Sequence, residues 1–265
     1  MKVNYHRGGS GDALLLIHGI GSQWQVWRPI LDLLERERDV IAVDLPGFGE
    51  SPQLPAALLP TPIALANEIK RLLDDLQITR PAIVGNSLGG AIALALAREG
   101  RASSVVAISP SGFWTPREAR YCRGVLRSSA AVVKAIDPAL PALLGNPLSR
   151  TVMLGHLVGK PWQISSDGAL GACRNLSSSP GLQSTIACSL SDDTRSTGAA
   201  IAVDLTIAWG TRDHLLPGRQ ALRAQRCIAG SKLIWLQGCG HVPMWDDPEL
   251  VARVVLDATR RPAIQ

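Results

Sequence analysis

The sequence lacks the cysteine pattern of a disulfide framework or of a zinc site. Its 5 cysteines are odd in number and irregularly spaced, and no two of them form a C-x-x-C pair. We therefore expect buried, reduced thiols, and nothing implies a metal or an organic cofactor. No signal peptide is evident, and the apolar run at 13–17 is too short for a membrane span. These absences predict a cytoplasmic location with no membrane span.

Dense basic stretches are also absent. Lys and Arg number 27 against 22 Asp and Glu, which gives a formal net charge of +5, but the arginines are scattered. A nucleic-acid-binding protein would have a denser basic stripe with aromatic residues in it. We predict no nucleic-acid partner, although a mild preference for anionic substrates stays open. The clustered arginines, interpreted as a solvated face, are Arg117, Arg120, Arg123 and Arg127.

Short apolar segments alternate with segments of helical spacing along most of the chain. The alternation predicts an α/β fold, with a mostly parallel central sheet and helices on both faces. The expected strands are at 2–6 (a weak edge strand), 13–17, 39–43, 82–84, 104–108, 205–209 and 231–236. The expected helices are at 24–38, 61–76 (with Ile63 on its apolar face), 91–97, 217–228 and 247–259.

The alternation breaks between the strands at 104–108 and 205–209. The intervening stretch has Pro, Gly and Ser clusters, short helical patches and no convincing buried strand. We predict one core domain, formed by 1–112 and 199–265, with an inserted, mainly helical cap at 113–198. A chain of 265 residues is long enough for such a domain with a full core.

One predicted turn connects the strand at 82–84 to the helix at 91–97. The turn is Gly85-Asn86-Ser87-Leu88-Gly89, a match to G-x-S-x-G. Such a turn holds its serine in a strained conformation with the hydroxyl above the sheet edge. The flanking glycines lack the Cβ atoms that would clash there. Because five-residue patterns recur by chance, Ser87 is a candidate nucleophile only if partners exist elsewhere.

Candidate partners follow three other predicted strands. Asp213 follows the strand at 205–209, His241 follows the one at 231–236, and His18-Gly19 follows the one at 13–17. Sites in open α/β sheets form beyond the carboxyl ends of the strands. A serine hydroxyl is a weak nucleophile and needs an adjacent base, which in turn needs an orienting acid. The order Ser, Asp, His is the one expected for an α/β-hydrolase.

Three other carboxylates compete with Asp213 for the acid. Asp204 precedes its strand, so it lies at the opposite edge of the sheet. Asp192 and Asp193 lie in the predicted insertion. We predict Asp213.

Together the motifs resemble those of the α/β-hydrolase fold family, over nearly the whole chain except the insertion. The resemblance implies Ser87 as nucleophile, His241 as general base and Asp213 as the acid that orients it. It also implies an oxyanion hole formed by the backbone N–H groups of Ile20 and Leu88. The segments that carry the resemblance are His18-Gly-Ile-Gly21, Asp44-Leu-Pro-Gly-Phe-Gly-Glu-Ser51, Gly85-Asn-Ser-Leu-Gly-Gly90, Trp209-Gly-Thr-Arg-Asp213 and Gly238-Cys-Gly-His241.

Other polar and aromatic residues receive structural interpretations. We expect His18 to shape the oxyanion loop and Asp44 to organise its own loop. His156 and His214 are interpreted as surface or lid residues. The tryptophans considered for a substrate pocket are Trp24, Trp27, Trp114 and Trp162, although core packing explains Trp27 equally well.

The expected activity is carboxylic-ester hydrolysis of a small-molecule substrate through an acyl-enzyme. Dehalogenases and epoxide hydrolases of this fold use an Asp nucleophile, which Ser87 argues against. The Gly-Asn-Ser-Leu-Gly-Gly form resembles carbon–carbon bond hydrolases of ring-cleavage products, but those usually carry Trp where this chain has Val242. A ligand-binding receptor of the same fold, and acyl transfer to an acceptor other than water, stay open, as does the oligomeric state.

Overall fold

A seven-stranded sheet forms the centre of the protein in the computed structural model, which describes residues 2–189 and 200–260. Its spatial order is β1-β3-β2-β4-β5-β6-β7. Only β1 is antiparallel to its neighbour, so the predicted mostly parallel sheet is confirmed. The strands are β1 (Tyr5–Gly9), β2 (Asp12–Ile17), β3 (Arg38–Val43), β4 (Ala82–Asn86), β5 (Ser104–Ile108), β6 (Asp204–Gly210) and β7 (Lys232–Leu236).

Helices flank the sheet on both faces. Successive residues of a strand point to opposite faces, so β2 sends Leu15 towards α2 and α3 and Leu16 towards α1 and α10. The helices are α1 (Arg28–Glu35), α2 (Pro62–Asp75), α3 (Leu88–Arg98), α4 (Pro116–Ala135), α5 (Leu140–Leu144), α6 (Pro147–Leu154), α7 (Ser166–Ser178), α8 (Leu182–Ser189), α9 (Arg219–Cys227) and α10 (Pro248–Ala258). Within the described ranges, no helix has both the length and the apolar character to cross a membrane.

Three local predictions differ from the structure. The edge strand lies at 5–9 rather than 2–6, because it pairs with β3 and then turns directly into β2. The predicted helix at 24–38 begins with a 3₁₀ turn at 24–27, and β3 already starts at Arg38. Ile63 is 52% exposed, so its assignment to the buried face of α2 was wrong; the buried stripe of that helix includes Leu65, Ile69 and Leu73.

The segment between β5 and β6, which we call the insertion, contains α4 to α8 in its described part. It has a small apolar cluster of its own, which includes Leu140, Leu144 and Leu154. Its helical content matches the expectation for 113–198, whereas the predicted division of the chain into core and cap remains a prediction. The predicted boundary at 198/199 lies outside the described residues.

The beginning of the insertion is bound to α9 through Glu118. Thr115 and Glu118 form a capping box at the start of α4, and the Glu118 carboxylate also accepts hydrogen bonds from Arg219 and Arg223. Burial alone would raise the pKa of Glu118, but the Thr115 N–H group and the two guanidinium groups outweigh it and lower the pKa. A charged carboxylate therefore holds the insertion to the core here.

Candidate active site

Ser87 lies at the turn between β4 and α3, at the carboxyl edge of the sheet. Its backbone has φ 56° and ψ −115°, a conformation that non-glycine residues rarely adopt. The turn is tight, since a Cβ added to Gly85 would lie only 2.1 Å from the carbonyl oxygen of Gly89. A Cβ on Gly89 would lie 2.1 Å from the carbonyl oxygen of Ile17. The glycines of the motif thus allow β2, β4 and α3 to approach one another at Ser87.

His241 and Asp213 form a buried hydrogen-bonded pair. His241 Nδ1 lies 2.8 Å from Asp213 Oδ2, and the two side chains are 4% and 0% exposed. The other carboxylate oxygen accepts hydrogen bonds from the backbone N–H groups of Leu215 and Leu216, at 3.0 and 2.7 Å. Because the carboxylate can only accept, Nδ1 carries the proton and Nε2 remains available as a base.

The loop after β2 lies beside Ser87. A Cβ on Gly19 would be 3.0 Å from the Cβ of Ser87, so no larger residue fits there without a shift. His18 holds this loop: its Nδ1–H donates to the Gly19 carbonyl oxygen at 2.7 Å, and its Nε2 accepts from the N–H of Leu45 at 2.9 Å. Burial lowers the pKa of His18, so the ring stays neutral in this role. The contacts agree with the structural role expected for it.

Asp44, at the end of β3, organises the adjacent loop as expected. Its carboxylate accepts hydrogen bonds from the Asn4 side chain and from the backbone N–H groups of Trp24 and Glu50, each within 3.0 Å. A Cβ on Gly49 would lie 2.2 Å from this carboxylate. The loop is therefore fixed around a buried carboxylate.

A sequence model described as "Alpha/beta hydrolase family" matches residues 14–254. This chain belongs to the alpha/beta hydrolase family. It is 32% identical over 260 residues to an uncharacterized protein of Mycobacterium tuberculosis, covering 91% of this chain and 73% of that one. It is 30% identical over 268 residues to the 2-hydroxymuconate semialdehyde hydrolase of Pseudomonas sp. strain CF600, covering 96% and 87%.

The fold of this alpha/beta hydrolase is also found in solved structures. The meta-cleavage product hydrolase of Pseudomonas fluorescens IP01 superposes with a TM-score of 0.71 at 22% identity, over 97% of this chain and 93% of that one. An epoxide hydrolase, CorEH, superposes with a TM-score of 0.74 at 18% identity, over 97% and 98%. At these identities the likeness concerns the fold alone.

A cavity of about 110 Å³ lies between the sheet edge and the insertion of this hydrolase. Ser87, His241 and Ile20 line it together. Leu88, the other residue expected in the oxyanion hole, is buried at the first position of α3, where the backbone N–H groups of a helix have no partner within the helix. The structure therefore brings the candidate residues from four separate strand ends to one place.

Most of the other residues considered for the site lie away from this cavity. Asp204 is exposed at the start of β6, at the opposite edge of the sheet, and Asp192 and Asp193 lie outside the described residues. Of the four tryptophans considered, Trp114 lines the cavity, Trp27 is fully buried in the core and Trp162 is 47% exposed. Trp24 stacks on the His6 ring at 4.8 Å between ring centroids.

Three cavity residues were not identified from the sequence as parts of a site. Asn86 donates from its side-chain amide to the carbonyl oxygen of His241 at 2.9 Å. Trp245 lines this cavity and a neighbouring one of about 690 Å³, next to α7 and the 3₁₀ turn at 24–27. His156, expected only as a surface or lid residue, also lines the cavity. Of these three residues, Asn86 has a sequence signal, because it lies in the turn motif. Trp245 and His156 reach the cavity only through contacts between distant parts of the chain.

Two buried cysteine side chains, Cys122 and Cys173, also line the cavity. Burial raises the pKa of Cys122 to about 12, and Asp213 contributes to the same shift, while burial raises the pKa of Cys173 to about 11. Both thiols are therefore protonated at neutral pH and are poor nucleophiles. Among residues 2–189 and 200–260, no group of three or more His, Cys, Asp or Glu side chains is arranged to hold a metal ion.

Proposed function

We propose that this alpha/beta hydrolase cleaves carboxylic esters of small-molecule substrates through a Ser87–His241–Asp213 triad. One observation carries the proposal: the strained Ser87 and the buried His241–Asp213 pair meet at one cavity. His241 Nε2 takes the Ser87 proton as the hydroxyl oxygen attacks the ester carbonyl. It then returns a proton to the leaving alcohol. A water molecule, deprotonated by His241, then attacks the acyl-enzyme, and the acid is released as Ser87 regains its proton.

The oxyanion of the tetrahedral intermediate would be bound by the N–H groups of Ile20 and Leu88. The Ile20 N–H group belongs to the loop that His18 holds, and the Leu88 N–H group belongs to the first turn of α3. Donors that are already oriented need no reorganisation as charge develops, and each is worth on the order of 10²-fold or more in rate. The insertion would act as the cap over this site, and the small cavity favours a small to medium acyl group.

Hydrolysis of p-nitrophenyl esters of increasing chain length tests the proposal. We expect Ser87→Ala to lower kcat on the order of 10⁶-fold and Asp213→Asn by about 10⁴-fold. Ser178→Ala, at an exposed serine near the end of α7, is the matched control and should match the wild type. Full activity in Ser87→Ala would refute the nucleophile assignment.

Labelling with a fluorophosphonate gives a test that does not depend on the choice of ester. The reagent phosphonylates an activated serine, so peptide mass spectrometry should find the adduct on Ser87. Labelling should slow strongly in Asp213→Asn, because the base is then held in the wrong tautomer. An adduct elsewhere on the chain, with Ser87 unmodified, would contradict the proposal.

Carbon–carbon bond hydrolysis is the second candidate. The similarity over 96% of this chain to 2-hydroxymuconate semialdehyde hydrolase favours it, as does Asn86 in the turn motif. Spectrophotometric assay of 2-hydroxymuconate semialdehyde, beside the ester series, would distinguish the two. Consumption of that compound with inert esters would favour this reading.

A further inference from the structure

His156 lies on the cavity wall next to His241. It belongs to the insertion, between α6 and the 3₁₀ turn at 161–163. The residue after it, Leu157, accepts a hydrogen bond at 3.0 Å from the N–H of Val242, the residue after His241. The two histidines are thus each one residue from the same backbone hydrogen bond. Their electrostatic interaction contributes to lowering the pKa of His156, after the larger effect of burial.

Around His156, the side chains that the insertion contributes to the cavity are mostly apolar. The two thiols there are protonated and form only weak hydrogen bonds. Ser129, on α4, contributes a hydroxyl group, and Ser111 and the Trp114 indole, both before α4, are further polar groups of the insertion that line the cavity. The apolar side chains around these groups include Leu126, Val133, Met153, Leu154, Leu157 and Leu176.

Ser129 and His156 form a loose polar pair in these surroundings. Ser129 Oγ lies 3.4 Å from His156 Nε2, which is long for a hydrogen bond between a hydroxyl group and a nitrogen. Since burial keeps His156 neutral, the ring offers one donor and one acceptor, and the hydroxyl group offers both. Polar groups in an apolar wall cost free energy unless they are fully hydrogen-bonded. A substrate oxygen within hydrogen-bonding distance of both Ser129 Oγ and His156 Nε2 would give each a shorter hydrogen bond than the one they form with each other.

The position of the pair indicates which part of the substrate it meets. In the proposed reaction His241 gives its proton to the leaving alcohol, so the alcohol part of the ester lies on the His241 side of Ser87. His156 is on that side, because Leu157 and Val242 are bonded to each other.

We propose that His156 and Ser129 form a subsite for an uncharged oxygen-bearing group, a hydroxyl or a keto group, on the alcohol part of the ester. The preferred substrates would be esters of diols, polyols or keto-alcohols rather than of simple alkanols. This inference rests on the proposed serine-hydrolase function. In this account His156 is a specificity-determining residue and not part of the acid–base chemistry.

The test uses pairs of butyrate esters that differ by one group. The 2-hydroxyethyl, 3-hydroxypropyl and 4-hydroxybutyl esters match the propyl, butyl and pentyl esters, with a hydroxyl group in place of the terminal methyl group. Acid release followed by titration gives kcat/KM for each. We expect the hydroxyl-to-methyl ratio of kcat/KM, at the best chain length, to fall about tenfold in His156→Phe, which keeps a ring but loses both nitrogens. Ser129→Ala should shift the ratio in the same direction by a smaller factor.

Met153→Leu is the matched control, because it changes the shape of the same wall without changing its polarity. Its ratio should stay within about twofold of the wild type. An unchanged ratio in His156→Phe at every chain length overturns this inference alone. So does an equal loss on both ester series in a folded His156→Phe, because His156 would then act in the chemistry. If His156→Phe does not fold, Ser129→Ala decides, and an unchanged hydroxyl-to-methyl ratio in that variant overturns the inference.

Different results would contradict the proposed function and the proposed subsite. A wild type that cleaves none of the six esters, and whose Ser87 is not labelled by a fluorophosphonate, overturns the serine-hydrolase proposal and the subsite with it. A wild type that is labelled at Ser87 and cleaves both series with the preference of His156→Phe overturns only the subsite.

Discussion

A single methyl group added at Gly85 tests the turn that presents Ser87. Gly85 lies in β4 between two neighbours, paired with Ile17 of β2 and Ala107 of β5. Its Cβ would lie 2.1 Å from the Gly89 carbonyl oxygen, whereas real Cβ atoms stay at least 3.0 Å away. Gly85→Ala therefore requires a displacement of about 0.9 Å (3.0 − 2.1) between β4 and the start of α3. The ladders on both sides oppose that displacement.

The expected cost follows from the size of this displacement. Overpacking of this kind costs about 1–3 kcal/mol of folding free energy. For a chain of this length that corresponds to a Tm lower by roughly 2–5 °C. The displacement also moves Ser87, and a misplacement of about 1 Å at a reacting group costs about 10²-fold in rate. We therefore expect both the Tm and the kcat/KM for p-nitrophenyl butyrate to fall.

Gly124 provides the control for Gly85. It lies inside α4 and its added Cβ would meet nothing within 4 Å. Gly124→Ala should raise the stability by about 0.5–1 kcal/mol and leave the rate unchanged, because alanine favours the helix. Circular-dichroism melting and initial rates measure both quantities. A Gly85→Ala variant with the Tm and kcat/KM of the wild type would refute the close approach inferred at the turn.

Three further predictions concern side chains around the site. Asn86→Ala removes the donor to the His241 carbonyl oxygen, so kcat should fall about tenfold with little change in KM; an unchanged kcat would count against a positioning role. The folded-state pKa of His18 is below 6.5, so the unfolded chain takes up that proton first and stability falls as the pH drops below 6.5. Urea unfolding between about pH 6.5 and 5.5 measures this change. The free energy of unfolding should fall less steeply with decreasing pH in His18→Gln than in the wild type. Iodoacetamide at about pH 8 should alkylate exposed Cys227 and spare Cys122, whose pKa burial raises to about 12; early modification of Cys122 would contradict its placement.

The residues at the ends of the parallel strands were predictable because each carries a local signal. A buried strand followed by glycine and a polar residue indicates the carboxyl end of that strand. In a parallel sheet these ends lie at the same edge. Ser87, Asp213 and His241 could therefore be selected although the last is 154 residues from the first (241 − 87). The exposed start of β6 likewise agrees with the reason given for excluding Asp204.

Residues whose role depends on distant contacts could not be predicted. The turn motif includes Asn86, but its role depends on the bonds from its side-chain amide to the carbonyl oxygens of His241 and Ile108, which no local pattern predicts. His156 follows a short helix in the insertion, where apolar spacing says little about which side meets the core. The position of β1 was misjudged for the same reason, because antiparallel pairing with β3 decides its register.

The backbone around His241 indicates that this side of the cavity keeps its shape. A Cβ on Gly240 would lie 2.7 Å from the Gly159 nitrogen, and the buried Asp246 carboxylate accepts N–H bonds from Gly159 at 2.9 Å, Lys160 at 2.6 Å and Gly240 at 2.7 Å. Burial raises the pKa of Asp246, and the three N–H donors partly offset that rise. The hydrogen bonds to the carboxylate stabilise this contact, although burying the carboxylate costs desolvation free energy. Because the insertion and the His241 loop are joined backbone to backbone here, substrate discrimination beside His241 must come from side chains on a fixed wall.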